Sequence, residues 1–214
     1  MLYSLINQIK SQKKNYKILI IVFDDGSSEN YKFDDPFVKY IKFYPNYGKK
    51  RYWKVTDTIF KYIQKINSNY FIQIPDDVEI VENFFELLTN TYEGINDPDK
   101  ICLSFLTDSR VFRHNWTSFD TQDMGNVYKT QWNDLCYFSK KNFFETLNFT
   151  VDPISPSRWV RNPNLSSGVG QQISLKLKGL NKNMYHTKNS LVSHGTHESK
   201  MNYQERINLP ITTL

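Results

Sequence analysis

The apolar run at residues 17–23 constrains the fold more than any other feature of this sequence. It reads Lys-Ile-Leu-Ile-Ile-Val-Phe and is too apolar on both faces for a strand with one side in solvent. Such a run is typical of a central parallel strand with helices on both sides. It ends in Asp24-Asp25-Gly26, a corner that either faces a ligand or is a simple turn.

Helices and strands alternate around this run in the first half of the chain. Apolar residues at helical spacing predict an amphipathic helix that begins at Leu2, and further helices over residues 50–66 and 81–91. Strands are predicted over residues 38–43 and 70–74. This order predicts an α/β fold with a mixed, mostly parallel, doubly wound central sheet flanked by helices.

The second half is less regular. Strands are predicted over residues 100–106 and 134–138, a short helix over 140–147, and a further helix over 173–180. Residues 152–167 contain three prolines and predict a long loop, which we interpret as a lid or an acceptor-binding surface.

The length of 214 residues suits one substantial core. We therefore predict a single domain over residues 1–214. Cys102 and Cys136 lie in apolar segments, which predicts small core residues and a reducing compartment.

The net charge of +5, from 27 basic and 22 acidic residues, is spread along the chain and does not indicate a nucleic-acid partner. The densest cluster contains Lys49, Lys50 and Arg51, and it suits a diphosphate as well as a polymer. No apolar run approaches the ~20 residues that a membrane span needs, and the start lacks the apolar core of a signal peptide. We therefore expect a cytoplasmic protein without a membrane span.

Two adjacent carboxylates, Asp76 and Asp77, follow the strand predicted at residues 70–74. Ligands of open α/β sheets bind at the carboxyl ends of strands, and a hard divalent cation prefers carboxylate oxygens. This predicts a metal–nucleotide site. The alternative is an acidic turn that caps the helix predicted at 81–91, because carboxylates favour helix amino ends.

The order of these motifs resembles the nucleotide-binding half of the GT-A glycosyltransferases. Asp25 ends one strand, residues 46–49 (Asn-Tyr-Gly-Lys) lead into a helix, and Asp76 and Asp77 end the next strand. The resemblance implies a Rossmann-like GT-A fold and a UDP-sugar donor. It also implies a nucleotide-binding half at about residues 1–99 and an acceptor-binding and metal-completing half at about 100–214. Within the family it extends to the capsid glycosyltransferase domains of chlorella viruses, which implies the host cytoplasm if the gene is viral.

The resemblance also implies roles for single residues. Asp25 would contact the uracil, Asp76 the ribose, and Asp77 a Mn²⁺ or Mg²⁺ ion that bridges the diphosphate. His194 resembles the histidine that completes the metal shell, with His197 as a competing ligand. Lys200 resembles the lysine that binds the diphosphate, beside the cluster that includes Lys49 and Arg51.

The sugar-binding side is implied by two further segments. Trp132-Asn-Asp134 resembles the loop that lines the donor sugar. Inverting members hold a carboxylate base in a later helix, where this sequence has Gly170-Gln171-Gln172. An amide cannot accept the proton but can hydrogen-bond the sugar, which favours retention of the anomeric configuration. Asp134 is the alternative base.

The predicted function is therefore transfer of a hexose or 6-deoxyhexose from a UDP-sugar to a carbohydrate or glycoprotein acceptor. Two alternatives stay open: a metal-dependent nucleotidyltransferase or phosphoesterase, and a non-catalytic sugar-binding module. The former usually has a glycine-rich phosphate loop after its first strand, whereas this strand leads into Asp24-Asp25. His114 and His186 are predicted to be structural or surface residues.

Overall fold

The structure, a computed structural model, describes residues 2–11, 16–28, 31–107, 121–133 and 135–194, apart from the side chain of His194. The helices in these ranges are α1 (Leu2–Ser11), α2 (Gly48–Gln64), α3 (Phe84–Gly94), α4 (Lys141–Thr146) and α5 (Val169–Gly179), with a short 3₁₀ helix at Pro156–Trp159. The strands are β1 (Ile20–Asp24), β2 (Val38–Lys42), β3 (Phe71–Gln73), β4 (Val78–Ile80), β5 (Lys100–Ser104), β6 (Gln122–Asp123), β7 (Val127–Thr130), β8 (Tyr137–Ser139), β9 (Asn183–Thr187) and β10 (Val192–His194).

Among the described residues, the largest sheet has six strands in the order β3-β8-β5-β9-β7-β6. The predicted mixed α/β class is confirmed. The prediction of a mostly parallel sheet is wrong, because β5 and β9 form the one parallel pair among the five neighbouring pairs of this sheet. The segment between β5 and β8 supplies the β6–β7 hairpin, and strands joined by a tight turn run antiparallel.

The strand predicted at residues 17–23 is β1, but it is not central in the described part of the chain. It pairs in parallel with β2 in a separate sheet of two strands. Ile20 packs against the main core, whereas the Phe23 ring lies 5.7 Å from the Tyr62 ring of α2. The run is apolar on both faces because Ile20 contacts the main core and Phe23 contacts α2.

Helices cover both faces of the large sheet. On one face, α1 and α3 pack in a cluster that includes Leu88 and Tyr92 from α3 and Phe138 from β8. On the other face, α2, α4 and α5 pack around Phe60, Phe144 and other buried side chains. The Phe60 and Phe144 rings meet edge to face with their centroids 5.0 Å apart. The chain is therefore a three-layer α/β/α domain.

The structure also bears on the two cysteines and on the presence of a membrane-spanning helix. Cys102 and Cys136 are buried, as predicted, and neither is part of a disulfide. Within the described ranges, no helix combines the length and the apolar character needed to cross a bilayer.

The Asp97 carboxylate holds the beginning of β9 through two side-chain hydrogen bonds. It accepts hydrogen bonds from the Tyr185 hydroxyl and from Asn183 Nδ2 at 2.7 Å. Burial disfavours its charge, but these donors, the Asp99 amide and Lys129 outweigh burial and lower the pKa of Asp97.

We expect Asp97→Asn to lower the free energy of unfolding by about 1–2 kcal/mol at pH 7, since an amide has one acceptor oxygen and cannot serve both Tyr185 and Asn183 on one side and the Asp99 amide on the other. A lowered folded-state pKa gives stability that is complete above the unfolded-state pKa of about 4 and lost as pH falls below it. The difference from the parent chain should therefore shrink in urea titrations below about pH 4. Asp99→Asn is the control, because its side chain is 52% exposed. An effect of equal size in both variants would contradict the assignment.

Candidate functional site

The corner after β1 is tied to the start of α2. Asp25 accepts hydrogen bonds from the backbone amides of Tyr47 and Gly48, both at 2.8 Å. These amides have no partner inside the helix, so the carboxylate caps α2. Gly26 has φ +75°, and a Cβ there would lie 3.0 Å from the Asn46 backbone. Because both a positive φ and a close backbone approach are required, the corner needs glycine.

Asp24, the residue before this cap, is buried and held on both carboxylate oxygens. One oxygen accepts from the Ser27 amide at 2.8 Å and from Ser27 Oγ at 2.7 Å, and the other accepts from the Tyr40 hydroxyl. Burial opposes the charge, but these donors outweigh it and lower the pKa of Asp24. Burial and the same hydrogen bond raise the pKa of Tyr40 to about 12. The corner is thus a rigid, ionised loop at neutral pH.

Asp76 and Asp77 lie in a turn between β3 and β4, with Asp76 exposed and Asp77 half-buried. The alternative that they cap the following helix is wrong, because β4 intervenes and α3 begins only at Phe84. The helix predicted at residues 81–91 starts later because the Val81 amide donates to the Leu191 carbonyl oxygen at 3.1 Å, which continues the β4–β10 ladder past Ile80.

The β4–β10 strand pair brings the backbones of the two predicted metal ligands, Asp77 and His194, close together in space. β4 pairs antiparallel with β10, and Val78, the residue after Asp77, lies opposite His194. Positions directly opposite in an antiparallel pair have Cα atoms about 4.5–5.5 Å apart. A separation of 116 positions in the sequence, from Val78 to His194, is thus bridged by one strand pair. The carboxylate and imidazole types at this edge fit Mn²⁺ or Mg²⁺ and a nucleotide diphosphate.

In the part of the chain with described side chains, no group of three or more His, Cys, Asp or Glu residues forms a complete metal site. The His194 side chain lies outside that part. Lys200, Asp134, His197 and His114 also lie outside the described residues.

The loop predicted to line the donor sugar is fixed at Asn133. This fully buried side chain accepts a hydrogen bond from Ser104 Oγ of β5 at 2.7 Å through Oδ1. Its backbone amide donates to Ser174 Oγ of α5 at 2.9 Å. A Cβ on Gly170 would lie 3.1 Å from the Asn133 carbonyl oxygen. Segment 131–133 is thus clamped between β5 and the first turns of α5.

His186 supports the same loop from β9. It is buried, and its Nε2 lies 3.0 Å from the Trp132 carbonyl oxygen, which can only accept. Nε2 therefore carries the proton and donates. Of the two alternatives predicted for His186, a structural or a surface residue, its burial excludes the surface position.

The two predicted catalytic amides, Gln171 and Gln172, have different hydrogen-bond partners. Gln172 bonds the Asp152 backbone at both ends, since its Oε1 accepts from the amide at 3.1 Å and its Nε2 donates to the carbonyl at 3.0 Å. It thus fastens the start of the long loop. Gln171 Oε1 accepts from Arg158 at 3.1 Å, so its Nε2 donor is the group left for a second contact.

Arg158 links the long loop to α5. Its Nε donates to the Ser166 carbonyl at 3.1 Å, and a Cβ on Gly168, where φ is +81°, would lie 2.9 Å from that nitrogen. Trp159 is buried and donates from Nε1 to the Leu165 carbonyl at 3.1 Å. The loop predicted at residues 152–167 is therefore a packed structure with its own hydrogen bonds.

Lys49 and Arg51 of the basic cluster differ in their surroundings. Lys49 Nζ, in the first turn of α2, donates to the Pro163 carbonyl oxygen at 3.0 Å. Arg51 is exposed. The contact of Lys49 joins the start of α2 to the long loop.

Sequence reasoning missed Asn133, Ser174 and Arg158 as organisers of this site. The short-side-chain pattern Gly170-Gln-Gln-Ile-Ser174 is a usable signal, because glycine and serine four apart on one helix face allow close approach of another segment. No comparable local signal marks Arg158, since its partners come from its own loop and from α5.

Comparisons with known proteins add no family assignment. A scan against protein-family models found no match, and a search of curated proteins found no similar protein.

Proposed function

We propose that the chain is a metal-dependent glycosyltransferase that moves a hexose or 6-deoxyhexose from a UDP-sugar to a glycan or a protein-linked sugar. The observation that carries the proposal is the β4–β10 ladder, which sets His194 opposite the residue after Asp77. Two residue types suited to one metal–diphosphate site, far apart in sequence, are thereby brought to one strand edge.

Asp77 and His194 would hold Mn²⁺ or Mg²⁺ there, and the metal would neutralise charge on the leaving diphosphate as a Lewis acid. Asp76, exposed in the same turn, would accept hydrogen bonds from the ribose hydroxyls. Lys200 would bind the leaving diphosphate, where a fixed cation stabilises charge that develops in the transition state.

The rigid corner after β1 would hold the base. Asp25 is the proposed uracil contact, and its cap on α2 fixes the position of its carboxylate. A carboxylate has about four lone-pair sites, so two backbone donors leave acceptor capacity for a base N–H. Arg51 and Lys49 would attract the diphosphate from the start of α2.

The sugar would lie between segment 132–134 and the first turn of α5. Trp132 would cover one sugar face and Asp134 would accept from its hydroxyls. Gln171 Nε2 would donate to the sugar, because Arg158 engages the opposite end of that amide. With an amide at this position, the departing phosphate would take the proton of the acceptor, which gives retention.

The acceptor would approach over the long loop. Val160 is 80% exposed and Arg161 is exposed, so this stretch offers apolar and cationic contacts beside the proposed sugar site. Its packing through Trp159 keeps the surface in one shape.

The test is to incubate the chain with a panel of UDP-sugars, Mn²⁺ and glycan acceptors, and to follow UDP release and product formation. Transfer that stops on chelation and resumes with Mn²⁺ is expected. Release of a nucleotide or phosphate without glycoside would instead support a nucleotidyltransferase or phosphoesterase, and saturable binding without turnover would support a sugar-binding module. Proton NMR of the first-formed glycoside reads its anomeric configuration directly, and an inverted product would exclude retention.

Arg158 gives a prediction for this site. We expect Arg158→Lys to lower kcat about tenfold with little change in donor KM, because lysine cannot reproduce the planar donors that hold Gln171 and Ser166. Arg161→Lys, on the same loop, keeps the exposed cation proposed for acceptor contact, so it is the matched control and should leave both constants unchanged. Equal effects of the two substitutions, or a change confined to KM, would remove Arg158 from the positioning of Gln171.

A further inference from the structure

The long loop contains an uninterrupted exposed stretch at residues 160–166. Every residue of this Val-Arg-Asn-Pro-Asn-Leu-Ser sequence is exposed, with Val160 at 80% and Leu165 at 37%. Both are tied to the buried Trp159, since Val160 follows it in the chain and its Nε1 donates to the Leu165 carbonyl oxygen at 3.1 Å. Single exposed apolar residues are normal, whereas two aliphatic side chains beside one tryptophan mark a candidate interaction surface.

Hydrogen bonds fix the shape of this stretch. The Val160 amide donates to the Ser157 carbonyl oxygen at 3.2 Å, and Arg158 Nε donates to the Ser166 carbonyl oxygen at 3.1 Å. Both ends are therefore held by contacts within the loop. A surface that is already ordered loses little conformational entropy when it binds a partner.

The charge around the stretch is positive because two long segments of the chain contain no acid. Basic residues are spread along the whole chain, but residues 38–56 and 153–194 each contain six Lys or Arg and neither contains Asp or Glu. The two segments meet where Lys49 Nζ lies 3.0 Å from the Pro163 carbonyl oxygen. The start of α2 therefore lies beside the exposed stretch of the loop.

Three cations at this junction are available to a partner. Lys50 and Arg51 are exposed at the start of α2, and Arg161 is exposed two residues before Pro163. Within the described ranges, none of these three side chains makes an ion pair or a hydrogen bond. Asp25, the acid that caps α2, is half-buried and already accepts two backbone amides.

The kind of apolar side chain decides between two anionic partners. A single-stranded nucleic acid is held by bases that stack on aromatic side chains, and residues 160–166 include none. Aliphatic side chains beside cations suit the surface of a bilayer, where the acyl boundary takes apolar groups and anionic headgroups attract Lys and Arg. The composition of the surface therefore favours a membrane.

We propose that this surface binds an anionic lipid membrane. Val160 and Leu165 enter the boundary between headgroups and acyl chains, and Lys50, Arg51 and Arg161 contact anionic headgroups. Each basic residue close to such a surface strengthens binding about fivefold, so the attachment is reversible. It goes beyond the proposed transfer reaction, because it needs neither a sugar donor nor a metal ion.

The experiment is co-sedimentation of the full chain with lipid vesicles, without nucleotide or metal. One set contains phosphatidylcholine alone, and the other contains about 30% phosphatidylserine, both in about 0.1 M salt. The chain should bind the anionic vesicles at least about tenfold more strongly than the neutral ones. Raising the salt to about 0.5 M should weaken that binding at least about tenfold, because exposed charges are then screened.

Lys50→Gln combined with Arg161→Gln should weaken binding to the anionic vesicles about twentyfold, since two cations are lost. Lys17→Gln combined with Lys65→Gln is the control, because both lysines are exposed and the net charge changes equally. Lys65 follows α2 at a helical distance of about 22 Å from Lys50. The control should change binding less than about threefold, since charges beyond a Debye length contribute little.

Val160→Asp tests the apolar contact and should weaken binding at least about tenfold, because a carboxylate is repelled by the headgroups and does not enter the acyl boundary. Leu87→Asp is its control, since Leu87 is 39% exposed on α3, which covers the opposite face of the large sheet. It should change binding less than about threefold. Equal binding to both kinds of vesicle, equal losses in surface and control variants, or binding to a single-stranded oligonucleotide but not to anionic vesicles would overturn the proposal.

Discussion

Asp77→Asn is expected to reduce metal-supported binding of a UDP-sugar by more than about a hundredfold, because even partners outside a metal's ligand shell affect affinity 10–100-fold. The substitution keeps the size of the side chain but removes the negative charge that a hard cation requires. His194→Ala should act in the same direction, since its backbone lies opposite the residue after Asp77.

The measurement is calorimetric titration of UDP with and without Mn²⁺, followed by the transfer rate. Glu79→Gln is the matched control, because Glu79 is an exposed acid on β4 two residues further on. It should leave Mn²⁺-dependent affinity unchanged. Unchanged affinity in both Asp77→Asn and His194→Ala, with the fold intact, would show that the metal binds elsewhere.

Asn133→Ala is expected to lower the free energy of unfolding by about 2–4 kcal/mol, because the truncation leaves a small cavity and removes a buried hydrogen-bond acceptor. The fully buried side chain accepts the Ser104 hydroxyl, which would be left without this partner. The transfer rate should also fall at temperatures where the variant is folded, because Asn133 holds the segment that leads to Asp134.

A double-mutant cycle with Ser104→Ala separates the hydrogen bond from the general cost of truncation. Removing both partners leaves no unmatched hydroxyl, so the double variant should be more stable than the sum of the single effects predicts. Urea unfolding measures all four forms. Asn142→Ala, at an exposed position of α4, is the control and should change stability by less than about 0.5 kcal/mol. Strict additivity would show that the Asn133–Ser104 bond contributes nothing.

Local patterns accounted for much of the secondary structure. The helices predicted to begin at Leu2 and over 50–66 are α1 and α2, with boundaries that differ by about two residues. β9 was missed because it alternates between two buried layers and so lacks the apolar–polar pattern of a half-exposed strand: Met184 packs on one face and Tyr185 on the other. β4 was missed because its three residues, which lie between the predicted strand at 70–74 and the predicted helix at 81–91, are too few to show a periodic pattern.

The sequence by itself determined the α/β class, the apolar strands that deliver Asp24, Asp25, Asp76 and Asp77, and the amide pair Gln171 and Gln172, because periodicity and side-chain chemistry are local properties. Tertiary structure alone decided that β3 pairs with β8, that β4 meets β10 beside Asp77, and that Asn133 is clamped by Ser104 and Ser174. Such pairings join residues far apart in the chain. They depend on which faces must be buried together, and one sequence does not specify that choice by local pattern.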